Sequence, residues 1–256
     1  MEARNIFLYW VGKEYNLISI LRRLIYLHST SGKGYKVHLI TNENLREYIQ
    51  DIPDYFNKLC LAHQADFVRV NVICDYGGIW LDSDTIVIDT LDSLFDYLDN
   101  QLGFFIMQNN QELWNGIFGS LKQTPLMIEW KTQMRLLLDI KEENLEWCDI
   151  GNTMLQDMYN NNPHLYDNYN ILNGLDNLYP VNWDQCVTEY LDKPYENYEN
   201  IVREYQPLVV LVNAVYRNIE YKTEQEILEG NYPLNYFINK SFRNICMKKN
   251  LLLGSS

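Results

Sequence analysis

The chain has 256 residues, 47% of them hydrophobic, and a formal net charge of −13. That apolar content excludes a disordered chain, and the acidic balance disfavours nucleic acid and anionic membranes, because both present phosphate. No run of about 18 apolar residues occurs, so no membrane span is expected. Residues 1–5 lack the basic and apolar regions of a signal peptide, so the expected setting is a soluble, cytoplasm-like compartment. The five cysteines (60, 74, 148, 186, 246) are odd in number and scattered, with no C-x-x-C spacing. Neither a zinc site nor a disulfide framework fits them, and reduced core thiols are expected.

Residues 5–11 (Asn-Ile-Phe-Leu-Tyr-Trp-Val) read as a buried strand ended by Gly12. Leu17, Ile20, Leu21, Leu24, Ile25 and Leu27 then recur at helical spacing, and 36–41 reads as a second strand. Strand, helix, strand points to a parallel α/β unit. Residues 62–75 carry a helical pattern stopped by Gly77-Gly78. A strand follows at 79–81, then Asp82-Ser83-Asp84-Thr85, then apolar residues 86–88. Strands are expected at 102–107 and 208–212. Helices are expected at 125–138 (opened by Pro125), 151–160, 223–229 and 235–246. A single domain over 1–253 is expected, with a donor-binding core in about 1–140 and a covering part in about 141–253. Gly254-Ser255-Ser256 is set aside as resembling a cloning scar.

The chemistry concentrates at Asp82-Ser83-Asp84. In an extended segment residues two apart share a face, so both carboxylates would point together at the carboxyl end of a buried strand, where open α/β sheets bind ligands. Two converging carboxylates call for a cation, and hard oxygen ligands suit manganese or magnesium, which also bind phosphate oxygens. The alternative is a pair of turn aspartates in a solvated loop. Asp66 and Arg69, three apart on the preceding helix, can reach a sugar or nucleotide, or simply pair with each other. Gly77-Gly78 permits close backbone approach to a ligand, or is an ordinary helix cap.

Ala65-Asp66-x-x-Arg69 followed by Asp75-Tyr76-Gly77-Gly78-Ile79-Trp80-Leu81-Asp82-Ser83-Asp84 resembles the signature of glycosyltransferase family 32. These are sugar-transferases with a DXD motif, related to yeast initiating mannosyltransferases, capsular polysaccharide transferases and the glucosylating domains of clostridial toxins. The opening strand Phe7-Leu8-Tyr9-Trp10-Val11-Gly12 is similar to the family's first strand. The close resemblance covers residues 62–88, with weaker similarity from 5 to about 183. It implies a GT-A-like α/β fold, in which a single nucleotide-sugar-binding domain has a mostly parallel central sheet and added C-terminal helices. It also implies a metal-dependent retaining transferase that moves a sugar from a nucleotide-diphosphate donor to a glycan, protein or other hydroxyl acceptor. A UDP-sugar is favoured over a GDP-sugar.

Carried over by position, Asp82, Asp84 and Arg69 would be catalytic, with Asp84 and Asp82 on the metal. Tyr9, Trp10, Val11, Asp66, Arg69, Gly77, Gly78, Asp82, Ser83 and Asn115 would line the donor site, and Asp149 and Asn152 the acceptor side. Leu178-Tyr179-Pro180 resembles a strand-end segment of the family. Many relatives complete the metal site with a C-terminal histidine. Here Phe237-Ile238-Asn239-Lys240-Ser241-Phe242 has none, which leaves Asn239 or Ser241 as oxygen ligands and Lys240 for the phosphate. Two other readings stay open. Asp82-Ser83-Asp84-Thr85 also fits a haloacid-dehalogenase-like phosphohydrolase with Asp82 as nucleophile, and a non-catalytic carbohydrate- or nucleotide-binding module would carry the same residues. Ser31-Gly32-Lys33-Gly34 is not a P-loop, because the spacing fails.

Overall fold

The computed structural model describes residues 4–108, 111–142, 144–174, 185–192, 207–211 and 217–253. Leu178-Tyr179-Pro180 lies outside them. In chain order the principal elements are β1 (Asn5–Tyr9), α1 (Asn16–His28), β2 (Lys36–Ile40), α2 (Leu45–Tyr48), α3 (Leu61–Tyr76), β3 (Gly78–Leu81), β4 (Thr85–Val87) and α4 (Asp92–Asn100). These are followed by β5 (Gly103–Met107), β6 (Leu113–Ser120), α5 (Pro125–Lys141), α6 (Asn152–Asn161), β7 (Tyr169–Asn173), β8 (Leu208–Val210) and the helices Glu224–Glu229 and Pro233–Leu253.

The chain forms two compact units, one of Met1–Val11, Lys36–Asp82 and Leu94–Leu172, the other of Gly12–Tyr35, Ser83–Ser93 and Asn173–Ser256. The first holds a six-stranded sheet in the order β2-β1-β3-β6-β5-β7. β1 pairs in parallel with β2 and β3, and β6 runs antiparallel to both β3 and β5. Thus β1, β2, β3 and β5 point one way and β6 the other, a mostly parallel sheet as the sequence led us to expect. β1 and β3 are central, which explains their unbroken apolar runs. Helix α3 packs against β1, β3, β6 and α5 and buries residues on nearly every side. Its polar members Gln64, Asp66, Arg69 and Asn71 are therefore interior, at 4–6% exposure, and interior polar groups need partners. The core around α3 includes Phe105 and Phe118, stacked with centroids 5.3 Å apart, beside Trp130. Thr124 caps α5, its hydroxyl accepting from the Met127 amide, with Pro125 in the first turn.

The second unit pairs β4 antiparallel with β8 and packs α1 and Pro233–Leu253 around Leu17, Leu21, Leu24, Ile86, Ile88, Phe237 and Ile238. Thr223 and Glu226 form a capping box that starts Glu224–Glu229. Among the described residues no helix is long and apolar enough to cross a membrane.

Two sequence expectations change. Gly77 (φ +68) and Gly78 (φ +127) do make close backbone approaches, but to the protein itself. A Cβ on Gly77 would lie 2.8 Å from the Lys122 amide nitrogen, and one on Gly78 2.5 Å from the Asn5 carbonyl oxygen. They sit at the amino end of β3, about 13 Å of strand rise from Asp82, so they serve packing and not the donor. In addition, Asp82-Ser83-Asp84 is not extended. β3 ends at Leu81, Ser83 and Asp84 form a turn, and β4 starts a different sheet at Thr85. The alternation argument for a shared carboxylate face therefore fails.

Candidate active site

The site of the first unit lies where the carboxyl ends of the parallel strands β1 and β3 meet the amino end of β6. Register places Leu81 opposite Ile117, and the Asp82 amide donates to the Gly116 carbonyl at 2.9 Å. Asp82 follows directly on four buried strand residues, and with Ser83 and Asp84 it forms a half-exposed interval before the buried strand β4.

Arg69 is the hub. Its Nη1 donates to the Asn115 carbonyl at 2.6 Å and its Nε to the Ala65 carbonyl at 3.3 Å. Its Nη2 lies 3.3 Å from Asp82 Oδ1, and its Nε 3.4 Å from Asp66 Oδ1. The guanidinium also stands 5.0 Å over the Trp80 ring, a cation–π geometry. Trp80 and Asp82 are two apart at the end of β3, and the indole Nε1 donates to Asp82 Oδ1 at 2.8 Å. Asn115 joins from β6: its Nδ2 donates to Asp66 Oδ1 at 2.8 Å, and its amide donates to Asn152 Oδ1 at 3.0 Å. A Cβ on Gly151 would meet Asn115 Nδ2 at 2.7 Å and Asp66 Oδ2 at 2.8 Å, so the start of α6 closes tightly over this pair.

The network holds two carboxylates and one guanidinium. Burial raises the Asp66 carboxyl above its ordinary pKa, against the attraction of Arg69 and the Asn115 hydrogen bond. Burial likewise raises Asp82, against Arg69 and the Trp80 N–H, and the Asp66 charge adds to the rise. The cluster is thus short of positive charge. Asp82 is its accessible member, with a side chain 29% exposed against 7–8% for Arg69 and Asp66. Its Oδ1 takes both partners, and Oδ2 accepts no hydrogen bond among the described residues. A second oxygen free for a hard cation fits manganese or magnesium.

The structure brings Asp66, Arg69, Asn115, Asp82 and Asn152 together, and adds Trp80 and Gly151, which the sequence reading missed. The Trp–x–Asp spacing on a strand was the signal for Trp80. Several expected roles are altered. Arg69 and Asp66 are interior and engaged by protein groups, which makes them supports for Asp82. Asn152 braces Asn115 and is no free acceptor contact. Asp149 is held by Lys141 Nζ at 2.7 Å and by the Glu146 amide at 2.9 Å. Burial raises its carboxyl, but these bonds outweigh that and lower it. Tyr9 is buried, and its hydroxyl donates inward to Gln64 Oε1 at 2.9 Å. Trp10 and Val11 are half-buried just beyond β1.

In the second unit, Asp84 accepts the Leu211 amide on its carbonyl at 3.0 Å. The Tyr15 hydroxyl is raised by burial, by the negative charge of Asp84 and by that of Glu220. Ser241 is fully buried, donates to the Val87 carbonyl, and lies 3.0 Å from His28 Nε2. Its oxygen is committed to packing, so Ser241 leaves the set of metal ligands. Asn239 is half-buried, and its Nδ2 donates to the Leu228 carbonyl at 2.8 Å. Among the described residues no group of three or more His, Cys, Asp or Glu is placed to hold a metal.

Residues 1–244 match the model of the family described as capsular polysaccharide synthesis protein. The chain belongs to this family. An uncharacterized protein of Arabidopsis thaliana is 29% identical over 118 residues, which cover 42% of this chain and 18% of that protein. The chain thus spans less than a fifth of the curated relative it matches.

Among solved structures, the chain is similar to a glycosyltransferase involved in the glycosylation of the major capsid of PBCV-1 (TM-score 0.51, 13% identity, 86% of this chain and 100% of that one). It is also similar to the galactosyltransferase LgtC in complex with donor and acceptor sugar analogs (TM-score 0.50, 12% identity, 94% and 96%). These likenesses establish for this member of the capsular polysaccharide synthesis family the mixed α/β fold of GT-A glycosyltransferases. Family and fold together support a glycosyltransferase.

Proposed function

We propose that this chain is a metal-dependent, retaining glycosyltransferase of the DXD type that moves a sugar from a nucleotide-diphosphate donor to a hydroxyl acceptor, with a UDP-sugar favoured. The observation that carries the reading is Asp82, a half-exposed carboxylate with a free oxygen at the carboxyl edge of the sheet, held by an interior Arg69–Asp66–Asn115 network short of positive charge. The family 32 signature noted in the sequence supports it independently.

In this reading the Asp82-Ser83-Asp84 motif would hold manganese or magnesium. Bound there, the ion would supply positive charge against the diphosphate leaving group. Arg69 positions Asp82 by fixing Oδ1, so that Oδ2 stays outward, and the Trp80 N–H does the same from the strand. Such preorganisation removes the cost of reorienting the carboxylate as charge develops. Trp10 and Val11 lie beside the base, and Ser83 lies beside the donor. The acceptor hydroxyl attacks on the leaving-group side, and its proton passes to a diphosphate oxygen, so no protein base is required.

Purified chain incubated with UDP-sugars should hydrolyse or transfer from at least one of them with manganese, and lose that turnover in chelator. Binding of the same donors without turnover would favour the non-catalytic module. A trapped aspartyl-phosphate on Asp82 would favour the phosphohydrolase.

A further inference from the structure

At the opposite edge of the first unit, away from Asp82, two adjoining cavities of about 320 and 540 Å³ share Asp75, Lys131 and Arg135 and form one groove between the end of α3 and the flank of α5. Tyr76 borders it at 43% exposure, and it directly precedes the glycines at the amino end of β3. Those glycines stand about 13 Å of strand rise from Asp82.

One interior side chain opens into it with half of its amide unused among the described residues. Asn71 is 4% exposed and lines the cavity, and its Nδ2 donates to the Phe67 carbonyl at 2.8 Å. Bonding to a carbonyl fixes that end as the amide nitrogen. The other end is therefore Oδ1, an acceptor that takes no hydrogen bond among the described residues. On a residue that lines the cavity, this oxygen can accept a hydrogen bond from a bound ligand.

The rest of the lining fits the same visitor. Lys131 Nζ lies 2.7 and 2.8 Å from the two Asp75 oxygens, and Arg135 pairs with Asp51, whose side chain is 88% exposed. Two cations and two carboxylates leave this groove electrically balanced within a chain of net charge −13. Half-exposed ion pairs hold each other weakly and can exchange partners with hydroxyl groups. Carboxylates accept hydroxyl protons, the ammonium and guanidinium donate to hydroxyl oxygens, and Tyr76 with Ile128 and Leu136 offers apolar surface to C–H faces. The volumes fall in the range of small-ligand sites.

We propose that this groove is a second saccharide site, which binds a short segment of neutral glycan through Asn71 Oδ1, the Asp75–Lys131 pair and the Tyr76 ring. It stands apart from the transferase reading and does not depend on it. An anionic glycan has no net positive charge to meet there and is repelled by the acidic chain.

The test is saturation-transfer NMR and titration calorimetry on the full chain, without nucleotide or metal. The probes are neutral trisaccharides (maltotriose, cellotriose, laminaritriose), with trigalacturonate as the acidic comparison. At least one neutral trisaccharide should bind in the millimolar range or tighter. Lys131→Ala and Asn71→Leu should each weaken that binding roughly tenfold, with unchanged circular dichroism and unchanged manganese-dependent donor turnover. If Asn71→Leu fails to fold, Lys131→Ala, on a half-exposed side chain, decides alone. No binding by any neutral probe, binding untouched by Lys131→Ala, or tighter binding of trigalacturonate would overturn the proposal. Donor turnover in the wild type tests the transferase reading separately.

Discussion

Replacing Arg69 by methionine removes the one cation that Asp66 and Asp82 share. The stem volume is roughly kept, so the loss is electrostatic and hydrogen-bonded. Arg69 contacts both carboxylates and donates to the carbonyls of Asn115 and Ala65. Breaking a buried ion pair from one side costs about 3–5 kcal/mol. Water can reach Asp82 at 29% side-chain exposure, which places the loss near the lower end, about 3 kcal/mol. For a chain of this size each kcal/mol moves the melting temperature by about 2–4 °C. Thermal unfolding should therefore fall by about 6–12 °C near neutral pH.

The pH dependence adds a signature. Burial already raises both carboxyls above the ordinary 3.8, so the folded state binds protons more tightly than the unfolded chain. Stability from these groups is present below about pH 4 and declines as pH rises through their folded values. Without Arg69 those values rise further, and the decline deepens. The deficit of the variant should thus be larger at pH 8 than at pH 5, and Asp66→Asn added to Arg69→Met should recover part of it. A deficit under about 1 kcal/mol at pH 8, or an equal one at both pH values, would refute the network as described.

Asp82→Asn and Asp84→Asn should each abolish manganese-dependent donor turnover while keeping the circular-dichroism spectrum of the wild type; full turnover in either would remove that residue from the mechanism. Gly78→Ala forces a Cβ to 2.5 Å from the Asn5 carbonyl at φ +127, and should cost about 2–4 kcal/mol in denaturant unfolding. In the second unit Ser241 donates to the Val87 carbonyl, so His28 Nε2–H donates to Ser241 and Nδ1 is left buried with no partner among the described residues. Burial pushes His28 down to about 4, with Asp89 opposing and Lys248 adding to the shift. Its folded value lies below the unfolded one, so stability held above pH 6.5 is lost as pH falls toward 4, by about 3 kcal/mol. His28→Gln should flatten wild-type unfolding curves over that interval, and an unchanged slope would contradict the assignment.

The sequence carried the scaffold of the site well. The alternating strand and helix patterns through Leu81 placed Asp82 at a strand end, and the three-residue spacing of Asp66 and Arg69 placed them on one helix face. Strand β6 escaped notice because Leu113–Ser120 carries Trp, Asn and two glycines among its apolar residues, which blurs the period of two. It brings Asn115 into the network, so the link between α3 and α6 was hidden until pairing was known. The direction in which Arg69 points was also illegible: a helix almost wholly buried has no polar face to read. The glycine pair misled because close approach was right and its object was wrong. Backbone from Asn5 and Lys122 lies there, contributed by distant segments. The turn at Ser83-Asp84 was the alternative the sequence left open, and alternation could not select it, because strand residues flank it on both sides while belonging to different sheets.

Electron paramagnetic resonance of manganese titrated into the chain with UDP tests the central claim most directly. The free-ion signal should fall in proportion to wild-type protein in the presence of UDP, and persist with Asp82→Asn or Asp84→Asn at equal protein concentration. Equal loss of signal in wild type and both variants would contradict a cation held by those two carboxylates.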